Sequence, residues 1–170
     1  DDAVAPGATF TYVWKVPERA GPGPADPSSI VWPYHSHVDS IADEYAGLFG
    51  AIVIVDAAHG TDSGIASDVD RDVVSVFMVD DENASLLAEQ NFARFAPEAD
   101  PEDDDVIESN LKHSVNGYLY GNGPRLQVRE GDRVRWHLIG FGTEVDLHTP
   151  HWHGNTVLAY GQRRDVVDLL

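Results

Sequence analysis

Near the C-terminal end runs Asp146-Leu147-His148-Thr149-Pro150-His151-Trp152-His153-Gly154, with three histidines in six residues. Neutral imidazole is the commonest transition-metal ligand, so a cluster this dense limits how the chain can fold around it. On an extended backbone, His151 and His153 lie on one face because side chains alternate with period two. His148 has the other parity, points away from the pair and serves a different metal ion. A helical zinc motif does not fit, since the segment has no H-E-x-x-H pattern. His35-Ser36-His37 repeats the H-x-H spacing on a second candidate strand. Four imidazoles from two modules then converge on a shared group of two or three metal ions, of the kind that delivers several electrons to dioxygen. A set of core histidines held by hydrogen bonds is the plainer alternative.

The rest of the chain reads as β structure. Residues 8–16 alternate with period two after the Pro6-Gly7 turn, which predicts a half-buried strand. Residues 30–38 form a second strand, and the apolar run 48–55 a third, buried on both faces. Residues 39–46 are polar, with room for one helical turn. A segment rich in Ala, Gly, Ser and Asp then marks a connection. Further strands are expected at 72–79, 118–120, 126–129, 133–139, 148–153 and 156–160. A helix is expected over 83–95, started by Asp81 or Asn83 and closed by Pro97, followed by an acidic loop at 97–105. The domains are 1–58, the C-terminal part of a first module; 59–70, a linker; and 71–170, the N-terminal part of a second. Both ends read as cut inside domains. Trp14, Trp136 and Trp152 are assigned to the core, His137 to a structural role and His59 to solvent.

Composition excludes some functions. A net charge of −18 repels nucleic-acid phosphates and attracts cations. With no cysteine, the chain offers neither a disulfide nor a thiolate ligand or nucleophile. No stretch is long and apolar enough to span a bilayer, and the N-terminus lacks the layout of a signal peptide.

The histidine motifs sit in longer stretches that carry a family resemblance. Trp32-Pro-Tyr-His35-Ser-His37-Val-Asp and Tyr45-Ala-Gly-Leu-Phe-Gly-Ala-Ile-Val resemble a copper-binding segment of multicopper oxidases. Val79-Asp-Asp-Glu-Asn, Ile107-Glu-Ser-Asn, Val115-Asn-Gly, Gly131-Asp-Arg-Val-Arg-Trp and Gly142-Thr-Glu-Val-Asp-Leu-His148-Thr-Pro-His151-Trp-His153-Gly resemble the ceruloplasmin-like branch of that family. The resemblance covers nearly the whole chain. It implies an all-β fold of two cupredoxin-like Greek-key β-sandwich modules, both incomplete. By position, His148 matches a type 1 copper ligand and His151 a type 2 ligand. His153, His35 and His37 match ligands of the binuclear type 3 pair. Glu108 and His113 match a labile iron-oxidation site, with a surface glutamate and a loop histidine as the alternative.

The implied activity is one-electron oxidation coupled to reduction of dioxygen to water, with ferrous or another metal ion favoured over phenols. The alternatives are a non-catalytic copper-binding or protein-interaction scaffold, or a copper nitrite reductase relative. A blue copper site also needs a cysteine thiolate, which this chain lacks. The isolated chain is therefore expected to be inactive, and an intact parent active. A homotrimer and a secreted, periplasmic or cell-surface location complete what the resemblance implies.

Overall fold

The structure is a computed structural model, and it describes residues 3–170; Asp1 and Asp2, at the start of the first expected module, lie outside the described residues. The architecture is all-β, and the described residues form three sheets with three short α-helices between strands. Strand β1 (Ser29–His35) pairs antiparallel with β2 (Phe49–Val55), with His35 opposite Phe49. Pro33 interrupts β1 without harm because among the described residues that strand has a single neighbour, leaving the other edge for a residue with no N–H. On β2, Gly50 leaves room for the Tyr34 ring, which a Cβ there would approach to 2.6 Å and push aside.

The second sheet has the order β4-β3-β5. Its centre is β3 (Arg71–Asp81), flanked by antiparallel β4 (Leu111–Val115) and parallel β5 (Val134–Phe141). Being central, β3 carries half of the buried apolar residues described: Val76, Met78 and Val79 lie on it, with Ile139 of β5 and Tyr45 beside them and Ala66 before it. At the end of β4, Asn116 and Gly117 both take positive φ, 53° and 75°, as a type I′ turn demands. The Asn116 amide fills in for a missing strand neighbour: its Oδ1 accepts from Val76 N at 2.8 Å and its Nδ2 donates to Val74 O at 3.0 Å. A small hairpin, β6 (Val157–Ala159) with β7 (Gln162–Arg164), closes the chain.

Three helices fill the connections. Helix α1 (Ser40–Glu44) starts at Asp39, whose carboxylate accepts from Ala42 N. Helix α2 (Ala88–Phe95) begins later than the sequence suggests, because Asp81 caps a local turn through Asn83 instead of starting the helix. Helix α3 (Asp104–Ser109) falls within the expected acidic loop and beyond it. Asp103 caps it, and Asp104 and Asp105 complement the positive end of its dipole.

The departures among the expected strands share one cause, the lack of a partner strand among the described residues. Residues 8–16 form no strand, and Phe10, Tyr12, Val13 and Trp14 are exposed, so Trp14 is not a core residue. Residues 126–129 likewise form no strand, and Tyr118 makes only an isolated bridge with Val115. Strand β2 is half-buried along its whole length instead of covered on both faces, since only β1 flanks it among the described residues.

The first sheet contacts the second through polar and aromatic groups. The Tyr45 hydroxyl accepts from Thr143 N at 2.9 Å and bonds Thr143 Oγ1 at 2.7 Å. Phe49 stacks on Phe141 at 5.0 Å between centroids. Arg135 of β5 donates to Ser28 and Ser29 at 2.6 and 2.9 Å.

Candidate metal centre

His35 closes β1, and His37 lies two residues beyond it; their ring centroids stand 5.9 Å apart. The loop between them is pinned. Ser36 Oγ donates to Asp43 Oδ2 at 2.5 Å, and Asp39 N donates to the same oxygen at 3.3 Å. His35 Nδ1 faces the carboxylate of buried Glu44 at 2.8 Å, and the edge of its ring meets Phe141.

Residues 148–153 do not form a regular strand, but part of the segment is held as one. Leu170 N donates to His148 O at 2.9 Å, Val167 N donates to Pro150 O at 3.0 Å, and His151 bridges Val166. A turn follows, with Asn155 N donating to Trp152 O and Gly154 at φ 74°. That turn folds His153 back so that its Nε2 lies 3.3 Å from His151 Nε2. With both Nε2 atoms turned to one place, the pair can serve two adjacent metal ions, one imidazole to each. Without metal, the same spacing is a hydrogen bond between one protonated and one bare nitrogen.

The His148 ring packs on Phe77 at 5.1 Å, with Nε2 3.5 Å from Asp146 Oδ2. The same oxygen lies 3.1 Å from His113 Nδ1. The His113 hydrogen bond, reinforced by the neighbouring imidazole of His148, holds the Asp146 carboxyl below its ordinary range. The carboxylate beside His113 is thus Asp146. Glu108, on α3, forms no ion pair among the described residues. His113, His148, Trp152 and His151 line one open cleft of about 710 Å³.

The structure brings together His151 with His153, His35 with His37, and His113 with His148 through Asp146. Among the described residues it gathers no three His, Asp or Glu side chains in metal-binding reach, so the two H-x-H pairs do not meet at one centre. His137 is buried with Nε2 2.8 Å from Asp72 Oδ1, and His59 Nδ1 lies 3.3 Å from Ser67 Oγ. Sequence reasoning missed Glu44 and the bridging role of Asp146. Asp146 was visible as an Asp-x-His, whereas Glu44 reaches His35 only because the β1–β2 connection doubles back.

No protein-family model matches the chain. Individual relatives do. The chain is 42% identical over 173 residues to Ferroxidase HEPHL1 of Homo sapiens, covering 99% of this chain and 15% of that protein. It is 41% identical over 175 residues to hephaestin of Homo sapiens, covering 98% and 15%. With ceruloplasmin of Homo sapiens the identity is 43% over 169 residues, covering 98% and 16%.

A chain that matches such proteins along nearly its whole length, with all five metal-candidate histidines inside the match, is a multicopper oxidase sequence. It belongs to that family on the side of ceruloplasmin and hephaestin, and the family's metal is copper. The chain spans about 15% of the length of the relatives it matches.

Proposed function

We propose that this chain supplies copper ligands to an oxidase that couples one-electron oxidation, with ferrous iron favoured over phenols, to reduction of dioxygen to water. The observation that carries the reading is the His151/His153 pair, whose Nε2 atoms stand 3.3 Å apart within a sequence 42% identical to a ferroxidase. The donor set fits copper, because imidazole nitrogen is a ligand copper favours. When bound, copper would accept single electrons from substrate and hold dioxygen for its reduction.

The chain's own residues bind and orient. His148 belongs to a type 1 site, with Asp146 at its Nε2 leaving Nδ1 for the metal. His151 serves a type 2 ion, and His153, His35 and His37 a type 3 pair. His113 with Asp146 forms the substrate side, and the exposed acids of α3, Glu108 among them, draw in cations. A surface of net charge −18 favours the approach of Fe²⁺ by the same attraction.

We place residues 3–58 in one cupredoxin module, 59–70 in a linker and 71–170 in a second module. The relatives are single chains more than six times as long as the matched segment, so we favour completion of the copper cluster within one polypeptide over a homotrimer. An extracellular location fits the reading, and no described helix is long and apolar enough to cross a membrane.

A non-catalytic scaffold has one observation in its favour, the absence of cysteine in this chain. Oxygen uptake decides between the two, measured on the longest protein that carries this segment after copper loading. Fe²⁺ should drive dioxygen consumption at one O2 per four iron ions, and His151→Ala with His153→Ala should lower the rate at least 100-fold. Equal uptake with and without the substitutions would overturn the oxidase reading.

A further inference from the structure

We propose that Asn122 is a self-modifying site, at which the Gly123 nitrogen expels the side-chain amide and leaves aspartate or isoaspartate beside the histidine-lined cleft.

The sequence holds two Asn-Gly dipeptides, Asn116-Gly117 and Asn122-Gly123. In each, the glycine nitrogen can approach the asparagine side chain with no Cβ beside it to crowd the attack. That nitrogen loses its proton to hydroxide and attacks Cγ. The N–Cγ bond forms, the Cγ–Nδ2 bond breaks, and ammonia leaves. Water then opens the cyclic imide at one carbonyl or the other, giving aspartate or isoaspartate. Hydroxide and water are the only reactants besides the chain.

The fold treats the two dipeptides differently. Asn116 N donates to Val76 O at 2.9 Å, its Oδ1 accepts from Val76 N at 2.8 Å, and its Nδ2 donates to Val74 O at 3.0 Å. Ring closure there would break both side-chain bonds and take two partners from the central strand β3. Asn122 is tied through its backbone alone. Its N donates to Leu119 O at 3.0 Å, closing a tight turn in which Tyr120 and Gly121 take positive φ, 55° and 72°. The residue is exposed, and among the described residues its amide has no hydrogen-bond partner and Gly123 N donates to none. Both reacting groups are therefore free to meet.

The product changes a surface that matters to the cleft. Gly121 and Gly123, on either side of Asn122, wall it together with His113 and His148. Conversion adds a negative charge to that loop, and isoaspartate also lengthens its main chain by one carbon.

The 170-residue chain, kept folded at mildly alkaline pH, tests this directly. Trypsin, cutting after Lys112 and Arg125, releases one peptide that carries both asparagines. Tandem mass spectrometry of that peptide locates the Asn-to-Asp mass gain, and carboxyl-methyltransferase labelling identifies isoaspartate. We expect Asn122 to convert first and Asn116 about tenfold or more slowly, the gap closing when urea unfolds the chain. Gly123→Ala should suppress conversion at Asn122. Its added Cβ would come no closer than 3.5 Å to Tyr118, an ordinary contact. Asn116 converting as fast as Asn122 in the folded chain overturns the proposal. So does an Asn122 that stays intact while the unfolded chain converts. A gap of the same size in urea overturns it as well, because sequence and not the fold would then set the difference.

Discussion

Single carboxylates decide how the histidines of this chain present themselves. Asp146 reaches both His113 and His148 through one oxygen, and Glu44 stands 2.8 Å from His35 Nδ1, whose hydrogen bond goes to the Ser36 carbonyl. A third carboxylate, Asp80, has no such imidazole. Burial on β3 raises its affinity for a proton, against the Ser114 hydroxyl that donates to it at 2.5 Å. Because its folded-state pKa lies above the unfolded one, ionised Asp80 costs stability at every pH above the folded value. The cost fades as pH falls toward the ordinary 3.8. Asp80→Asn keeps an acceptor for Ser114 and removes the charge. The variant should melt higher than the parent at pH 7, with the difference shrinking as the pH falls toward 4. A constant difference across that range, followed by calorimetry, would contradict the assignment.

Helix α1 is the element on which the two sheets depend. It carries Glu44 toward His35 and ends at Tyr45, whose hydroxyl bonds both Thr143 N and Thr143 Oγ1. Tyr45→Phe leaves a backbone N–H without that partner and should lower stability by about 1–2 kcal/mol, read as a shift of the urea midpoint with unchanged slope. A shift below roughly 0.3 kcal/mol would mean that the junction is held elsewhere. Legibility followed the same logic of partners. Strands β1, β2, β3 and β5 stood out in the sequence because each pairs along its apolar run. Residues 8–16 alternate as cleanly and yet form no strand, since alternation signals a face to be buried and not the neighbour that buries it. Helix α3 was hidden because its acids read as a loop, although three of them cap and charge its first turn. The H-x-H motifs were legible through spacing, whereas the approach of Glu44 to His35 depends on a register that only the folded hairpin supplies.

At the scale of the molecule, sheets of two, three and two strands leave much apolar surface open, including Tyr120 and Val145 at more than 90% exposure. The cleft lined by His113, His148 and His151 is also walled by Tyr120 and by Phe77, Trp136 and Leu138 of the central sheet. That geometry suits ligands offered toward further protein, as expected of a chain matching about 15% of its relatives. Imidazole-bound copper at His151 and His153 is what the oxidase role requires of this chain. Titration of the chain with Cu²⁺, followed by electron paramagnetic resonance, measures this most directly. We expect tightly bound copper whose spectrum shows coupling to imidazole nitrogen, lost in His151→Ala with His153→Ala. Copper that binds with the same stoichiometry and spectrum in the double variant, or no tight binding at all, would contradict it.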